Sequence, residues 1–365
     1  MKMDSIQEFG QKIQKLIQGK DLSHDETYEM FKEVLENSQP DLQQGAFLAA
    51  LVSKGETVDE IAGAWKAINE IDTVHTGNDL PDDLFENSGT GMDRLKTFNV
   101  SSAAAIVAAA CDVPMARHGA RALTSKCGTV DMIEAMGVDV ECDVSVVEKS
   151  INEAGIGLFN GMSPKIHPGA LGRILSQIRF GSTLNIAASL ANPAMPSQGL
   201  RGVYSSDLVN KAGEIMRRIG YKKGMVVFGT DKSSGLGMDE ISLCGETLIH
   251  EFNEHGTDDY SFIPEDIGIK SRSFDEISFT GTMEDETIRF ASVLSGKGHD
   301  GCIDFTCLNS GAILYIAGKT KNLKQGVEMS RETINNGTAV EKLRQWVAVQ
   351  NVNGNDGLRK LDALL

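Results

Sequence analysis

The sequence has no apolar run long enough to cross a bilayer, and its start, MKMDSIQEFG, lacks a signal-peptide core. A soluble, cytoplasmic protein is therefore expected. Basic residues are scarce too: 35 Lys and Arg face 51 Asp and Glu, for a formal net charge of −16. That deprives nucleic-acid binding of global electrostatic support, leaving only a local basic cleft as a route to it. The six cysteines (Cys111, Cys127, Cys142, Cys244, Cys302 and Cys307) include no C-x-x-C pair. A disulfide framework or a zinc ribbon is excluded on that ground, and reduced, mostly buried thiols are expected. No Walker loop, no Rossmann G-x-G-x-x-G and no Ser/His/Asp or Cys/His spacing occurs, so covalent catalysis has no positive support.

What is present divides in two. With 41% hydrophobic and 24% charged residues, 365 residues suffice for one large domain or two smaller ones. The first seventy or so residues read as three short helices. Ser23 and Glu26, then Thr57 and Glu60, have capping-box spacing, and Tyr28, Phe31 and Leu35 share a face. From about residue 84, glycine-rich loops alternate with short apolar runs and helices, as in an α/β domain with a mostly parallel sheet. VPMA (113–116) reads as a strand, and DLVNKAGEIMRRIG into GMVVFG as a helix-to-strand step. ISLCGETLIHEF has the pattern of a hairpin turning at Gly245-Glu246. Trp65 and Trp346 fall within helical patterns and read as packing residues.

Three stretches carry chemistry. In NSGTGMDRLKTFNVSS, Gly89 and Gly91 allow backbone amides to turn around an anion, and Thr90, Asn99, Ser101 and Ser102 add donors before a helix start. In RHGARALTSKCG, Arg117, His118, Arg121 and Lys126 gather cations, with Thr124 and Ser125 as further donors, which suits a cleft for a polyanion. In SSGLGMDEIS, Asp239 and Glu240 are adjacent carboxylates of the kind that hold Mg²⁺ together with substrate phosphates. His167, in SPKIHPG, is a weaker substrate-contact candidate.

Taken together in order, GTGMDRLKTFNVSSAAAIVAAA, ARHGARALTSKCGTVDMIEAMGV, LANPAMPSQGLRGVYS, GMDEIS and LNSGAILYIAGK resemble the anthranilate phosphoribosyltransferase family along nearly the whole chain. The resemblance implies a helical domain over residues 1–75, joined by part of 164–195, and an α/β domain over 76–365. It implies a homodimer through the helical part, and phosphoribosyl pyrophosphate (PRPP) with Mg²⁺ in the cleft. By motif match, Gly89, Thr90, Gly91, Asp93, Thr97, Asn99, Ser101, Ser102, Arg117 and Ser125 would hold the donor, and Ser101, Asp239 and Glu240 the metal. His118, Arg121, His167 and Arg173 would meet a small nitrogenous acceptor. Three positions depart from the pattern: Met92 replaces a glycine, Ala120 an asparagine, and Leu175 the carboxylate-binding arginine, for which Arg173 or Arg179 are the nearby substitutes. The expected activity is phosphoribosyl transfer to an aromatic amine or related nitrogen acceptor. Two alternatives stay open: a pyrimidine nucleoside phosphorylase-like enzyme, and a non-catalytic member that binds nucleic acid.

Overall fold

A computed structural model describes residues 3–91, 93–121, 127–279, 281–352 and 354–365. Four helices come first: α1 (Met3–Ile17), α2 (His24–Leu35), α3 (Asp41–Lys54) and α4 (Val58–Ile71). Both expected capping boxes form, with Ser23 and Thr57 accepting from the amides of Glu26 and Glu60. Only three of these helices are expected from the sequence pattern, which leaves α1 out. Phe9, Ile13 and Leu16 are nevertheless spaced to bury one face of α1.

Among the described residues, eight strands then form one sheet: β1 (Phe85–Gly89), β2 (Met115–Gly119), β3 (Ile156–Asn160), β4 (Gln198–Gly202), β5 (Lys223–Thr230), β6 (Gly237–Met238), β7 (Thr247–Asn253) and β8 (Gly256–Phe262). Their order is β3-β2-β1-β4-β5-β7-β8, with β6 beside β5. Pairs from β3 to β5 are parallel, and β5–β6, β5–β7 and β7–β8 are antiparallel. The hairpin lies later than the sequence suggested. Residues 254–255 turn β7 into β8, whereas Gly245 packs on β5, where a Cβ would lie 2.7 Å from the Thr230 carbonyl. Ser242 fixes that segment by donating to the Thr230 carbonyl at 2.6 Å, so it is held as an irregular strap.

Helices α5 (Val100–Ala110), α6 (Thr129–Ala135), α7 (Val144–Ala154), α8 (Leu171–Ile178), α9 (Thr183–Ser189) and α10 (Leu208–Arg218) interleave with the strands. After β8 come α11 (Phe274–Ile277), α12 (Met283–Leu294), α13 (Asp300–Ile316), α14 (Leu323–Asn335), α15 (Thr338–Val349) and α16 (Gly354–Asp362). One core joins α5, α13 and α15 to a face of the sheet, and Trp346 is fully buried in it. A second core joins α1–α4 to α8, α9, α10 and the opposite face, through Leu171, Ile174, Leu184, Met216 and Val226. The amphipathic helices thus find their cover on the α/β part. This arrangement leaves the C-terminal ends of β1, β2 and β4 next to the junction with α4, α8 and α9. Open parallel sheets bind ligands at such strand ends.

Candidate active site

The end of β1, the start of α5, the end of β4 and the segment after β6 meet at one place. Asp239 Oδ2 accepts the Gly91 amide at 2.6 Å, and Thr90 Oγ1 lies 3.5 Å away. The Thr90 amide donates to the Gly202 carbonyl at 3.2 Å. The loop glycines thus bring their backbone against a carboxylate of the protein itself, which engages the Gly91 amide. Gly91 needs its freedom, having φ of 71°. Ser101 Oγ donates to Glu240 Oε1 at 2.5 Å, which ties the second acid to the first turn of α5.

Asp93 completes an acidic group. Its Oδ1 is held by Lys96 Nζ at 2.9 Å, yet burial and then Asp239 raise its pKa to about 6. The partly buried Glu240 is pushed well above the usual carboxylate range, first by loss of water and then by Asp239. Among the described residues, no three His, Cys, Asp or Glu side chains form a ready-made metal cage. An acidic pair without a cage fits Mg²⁺, which takes one or two carboxylates and completes its shell with water and phosphate oxygens.

The other donor candidates divide. Thr97 bridges to Ser278, and Asn99 stands at the N-cap of α5 without a side-chain capping bond. Ser102 is fully buried and accepts from Arg117 Nη1 at 2.8 Å, so these two face each other. Arg117 also donates to Asn87 Oδ1 at 3.1 Å and to the Asn87 carbonyl at 3.4 Å. Burial lowers its pKa to about 10, and Glu240 is the strongest opposing influence. Arg117 therefore stands behind the acidic pair as a fixed counter-charge. Ser125, Thr124, Lys126 and Met92 lie outside the described residues.

Of the acceptor candidates, the structure brings only the two histidines together. His118 and His167 approach at 3.2 Å between their Nε2 atoms, and both are buried. Burial, then the neighbouring His167, lowers His118 to about 3, and burial lowers His167 as well. Both imidazoles are neutral at pH 7. Arg121 is neutralised by Glu134, Glu141 and Asp131 at 2.7, 2.8 and 3.2 Å. Arg173 turns to the helical bundle, donating to the Val34 carbonyl at 2.6 Å and Gln44 Oε1 at 3.2 Å. Arg179 is exposed and donates to the Ser176 carbonyl at 3.2 Å, while Leu175 packs on the helical core. Both arginines are thus taken up by partners of the helical bundle or of their own helix.

The buried arginine that does reach this region is Arg201 on β4, which sequence reasoning passed over. It donates to Ser88 Oγ at 2.7 Å and to the hydroxyl of Ser189. Beside it, Glu86 accepts from Tyr221 at 2.6 Å and Asn192 at 3.0 Å, its pKa raised by burial. An arginine inside the glycine-flanked strand QGLRG was the available signal.

Residues 82–340 match the a/b domain of the glycosyl transferase family, and residues 11–70 match its helical bundle domain. The chain is 33% identical to the anthranilate phosphoribosyltransferase of Desulfosudis oleivorans, across 95% of this chain and 100% of that one. It is 36% identical to the enzyme of that name from Anaeromyxobacter dehalogenans, across 94% and 98%. Among solved structures, the anthranilate phosphoribosyltransferase of Thermus thermophilus superimposes with TM-score 0.83 at 30% identity, covering 93% of this chain and 98% of that one. The Saccharomyces cerevisiae enzyme in complex with PRPP and Mg shares the fold, with TM-score 0.80 at 24% identity over 94% and 97%.

Proposed function

The chain belongs to the glycosyl transferase family built from these helical-bundle and a/b domains, and from that premise we propose that it is a phosphoribosyltransferase. It moves 5-phosphoribosyl from PRPP to an aromatic amine, with release of pyrophosphate. Anthranilate, for which its relatives are named, is the first acceptor to test. The observation that carries this reading is the Asp239–Glu240 pair, tied to the glycine loop through Gly91 and to the helix start through Ser101.

Cleaving the ribosyl–pyrophosphate bond builds negative charge on the leaving group and positive charge at the anomeric carbon. Mg²⁺, held by Asp239 and Glu240, would neutralise the leaving diphosphate. The chain supplies the rest by position. The first turn of α5 offers amide donors and Ser101 to a phosphate, and the junction above the strand ends aligns the amine with the anomeric carbon. A strong general base is not needed for attack by a neutral amine, which agrees with two neutral histidines.

The test is pyrophosphate release from PRPP with Mg²⁺, using anthranilate and a panel of other aromatic amines. Release that requires both PRPP and an amine supports the reading. Phosphorolysis of uridine or thymidine with no PRPP-dependent release would overturn it. Arg173→Ala should leave both substrate KM values within about twofold. It should lower stability by roughly 1–2 kcal/mol in a denaturant melt, through loss of its bond to the Val34 carbonyl. A large rise in the acceptor KM alone would return Arg173 to the site.

A further inference from the structure

Asp72 follows α4, where the chain first leaves the helical bundle, and it is 1% exposed. Its carboxylate accepts the amides of Gly169 at 2.7 Å, Ala170 at 3.0 Å to each oxygen, and Leu171 at 2.8 Å. One side chain thereby pins the start of α8, the second crossing between bundle and sheet, to the first. Val74 reinforces the tie by donating to the Ile166 carbonyl at 2.9 Å.

The same residue fixes the histidine pair. His167 Nδ1 lies 2.6 Å from the Asp72 carbonyl oxygen, which can only accept, so the His167 proton sits on Nδ1. Thr73 Oγ1, whose own hydrogen goes to the Ile68 carbonyl, lies 3.4 Å from that nitrogen as a second acceptor. In the neutral ring, Nε2 of His167 is then a lone pair, and it accepts from His118 Nε2–H across 3.2 Å. Gly161 permits the approach, since a Cβ there would stand 2.6 Å from His118 Nε2. The chain of bonds reaches His118, whose buried Nδ1 has no hydrogen-bond partner within range among the described residues and whose ring also lies against the Ser189 backbone carbonyl.

We infer that Asp72 is a positioning residue: its carboxylate and backbone carbonyl together hold residues 167–171, which sets the His167 tautomer and, through it, the placement of His118 for the nitrogenous acceptor. The inference rests on the transferase reading for its substrate and on this geometry for its tautomers. Carboxylate-to-amide replacement at Asp72 would set an NH₂ group against backbone N–H groups and release the clamp.

Two measurements decide it. Long-range ¹H–¹⁵N spectra of histidine-labelled protein near pH 7 should show His167 as the Nδ1–H form and His118 as the Nε2–H form. An Nε2–H form at His167 overturns the proposal whatever the activity. In kinetics, Asp72→Asn should raise the acceptor KM about tenfold with the PRPP KM within about twofold, as should His167→Ala. The double variant should be no worse than His167→Ala alone, because the two act as one unit. Additive effects, or equal rises in both KM values, would reduce Asp72 to a hinge brace and overturn the proposal. If the wild type shows no PRPP-dependent turnover, the transferase reading fails, and the tautomer spectra still decide the role of Asp72.

Discussion

Replacing Glu240 with glutamine should make the metal-free protein more stable while costing at least ~10²–10³-fold in kcat/KM, the scale seen when one preorganised electrostatic group is lost. Glutamine preserves the shape and the acceptor for Ser101 Oγ. It removes a carboxylate that burial and Asp239 already hold at a raised pKa. A raised carboxylate takes up a proton on folding, so its contribution to stability worsens as pH rises above its unfolded value of about 4.5. The advantage of Glu240→Gln should therefore be absent near pH 4.5 and largest at neutral pH. There it should appear as a higher Tm for the metal-free variant than for the metal-free wild type. Arg117 opposes part of the gain, since it loses its main counter-charge.

Magnesium separates this trade-off from simple repacking. Wild-type protein should gain thermal stability when Mg²⁺ and PRPP are added together, by mass action on the folded state. The glutamine variant should gain much less. The wild-type gain should fade as pH falls through about 6, where the neighbouring Asp93 takes up a proton, and Glu240, itself raised above the usual carboxylate range, must give up its own proton to bind a cation. A variant that is destabilised without metal, or equally stabilised with it, would remove Glu240 from the metal site.

Much of this site was legible because its parts are local in sequence. Gly89, Thr90, Gly91, Asn99 and Ser101 lie on one strand–loop–helix step, so glycine freedom and a helix start are visible together. Asp239 and Glu240 are adjacent, and an acidic pair after a glycine loop stands out. The acceptor side was hard for the opposite reason. His118 and His167 come from β2 and a distant loop, and only the folded chain places them 3.2 Å apart. Arg173 looked available because sequence does not show which way a half-buried side chain turns, and it turns to α2 and α3. Asp72 carries no signal of its role in the sequence, since its partners at 167–171 are nearly a hundred residues away. In the fold at large, the antiparallel end of the sheet was misread for a similar reason. Residues 241–246 carry strand-like composition but are claimed by Thr230 and Asn309.

The strongest steric test of the site is Gly202→Ala. Gly202 ends β4, and a Cβ there would lie 1.6 Å from the Asp239 carbonyl oxygen and 2.3 Å from its carbon. No rotamer relieves this clash, because the opposing atoms are backbone. The Asp239–Glu240 segment must retreat by more than an ångström, yet Asn309 restrains it by accepting the Ile241 amide at 3.0 Å and donating to the Ile241 carbonyl at 3.2 Å. Strain of this kind costs about 1–3 kcal/mol, and a ~1 Å misplacement of a catalytic group can cost ~10²-fold in rate. Gly202→Ala should therefore lower Tm by a few degrees, abolish the joint stabilisation by Mg²⁺ and PRPP, and reduce kcat/KM about 10²-fold. Gly45→Ala, in α3 with nothing within 4 Å of its added methyl, should raise helix stability by up to ~1 kcal/mol and leave kinetics unchanged. The two variants add the same methyl group, so the difference between them isolates the contact with Asp239. Wild-type kinetics in Gly202→Ala would mean that Asp239 does not need this position. The acidic pair would then have to act from a conformation other than the one bound to Gly91 and Ser101.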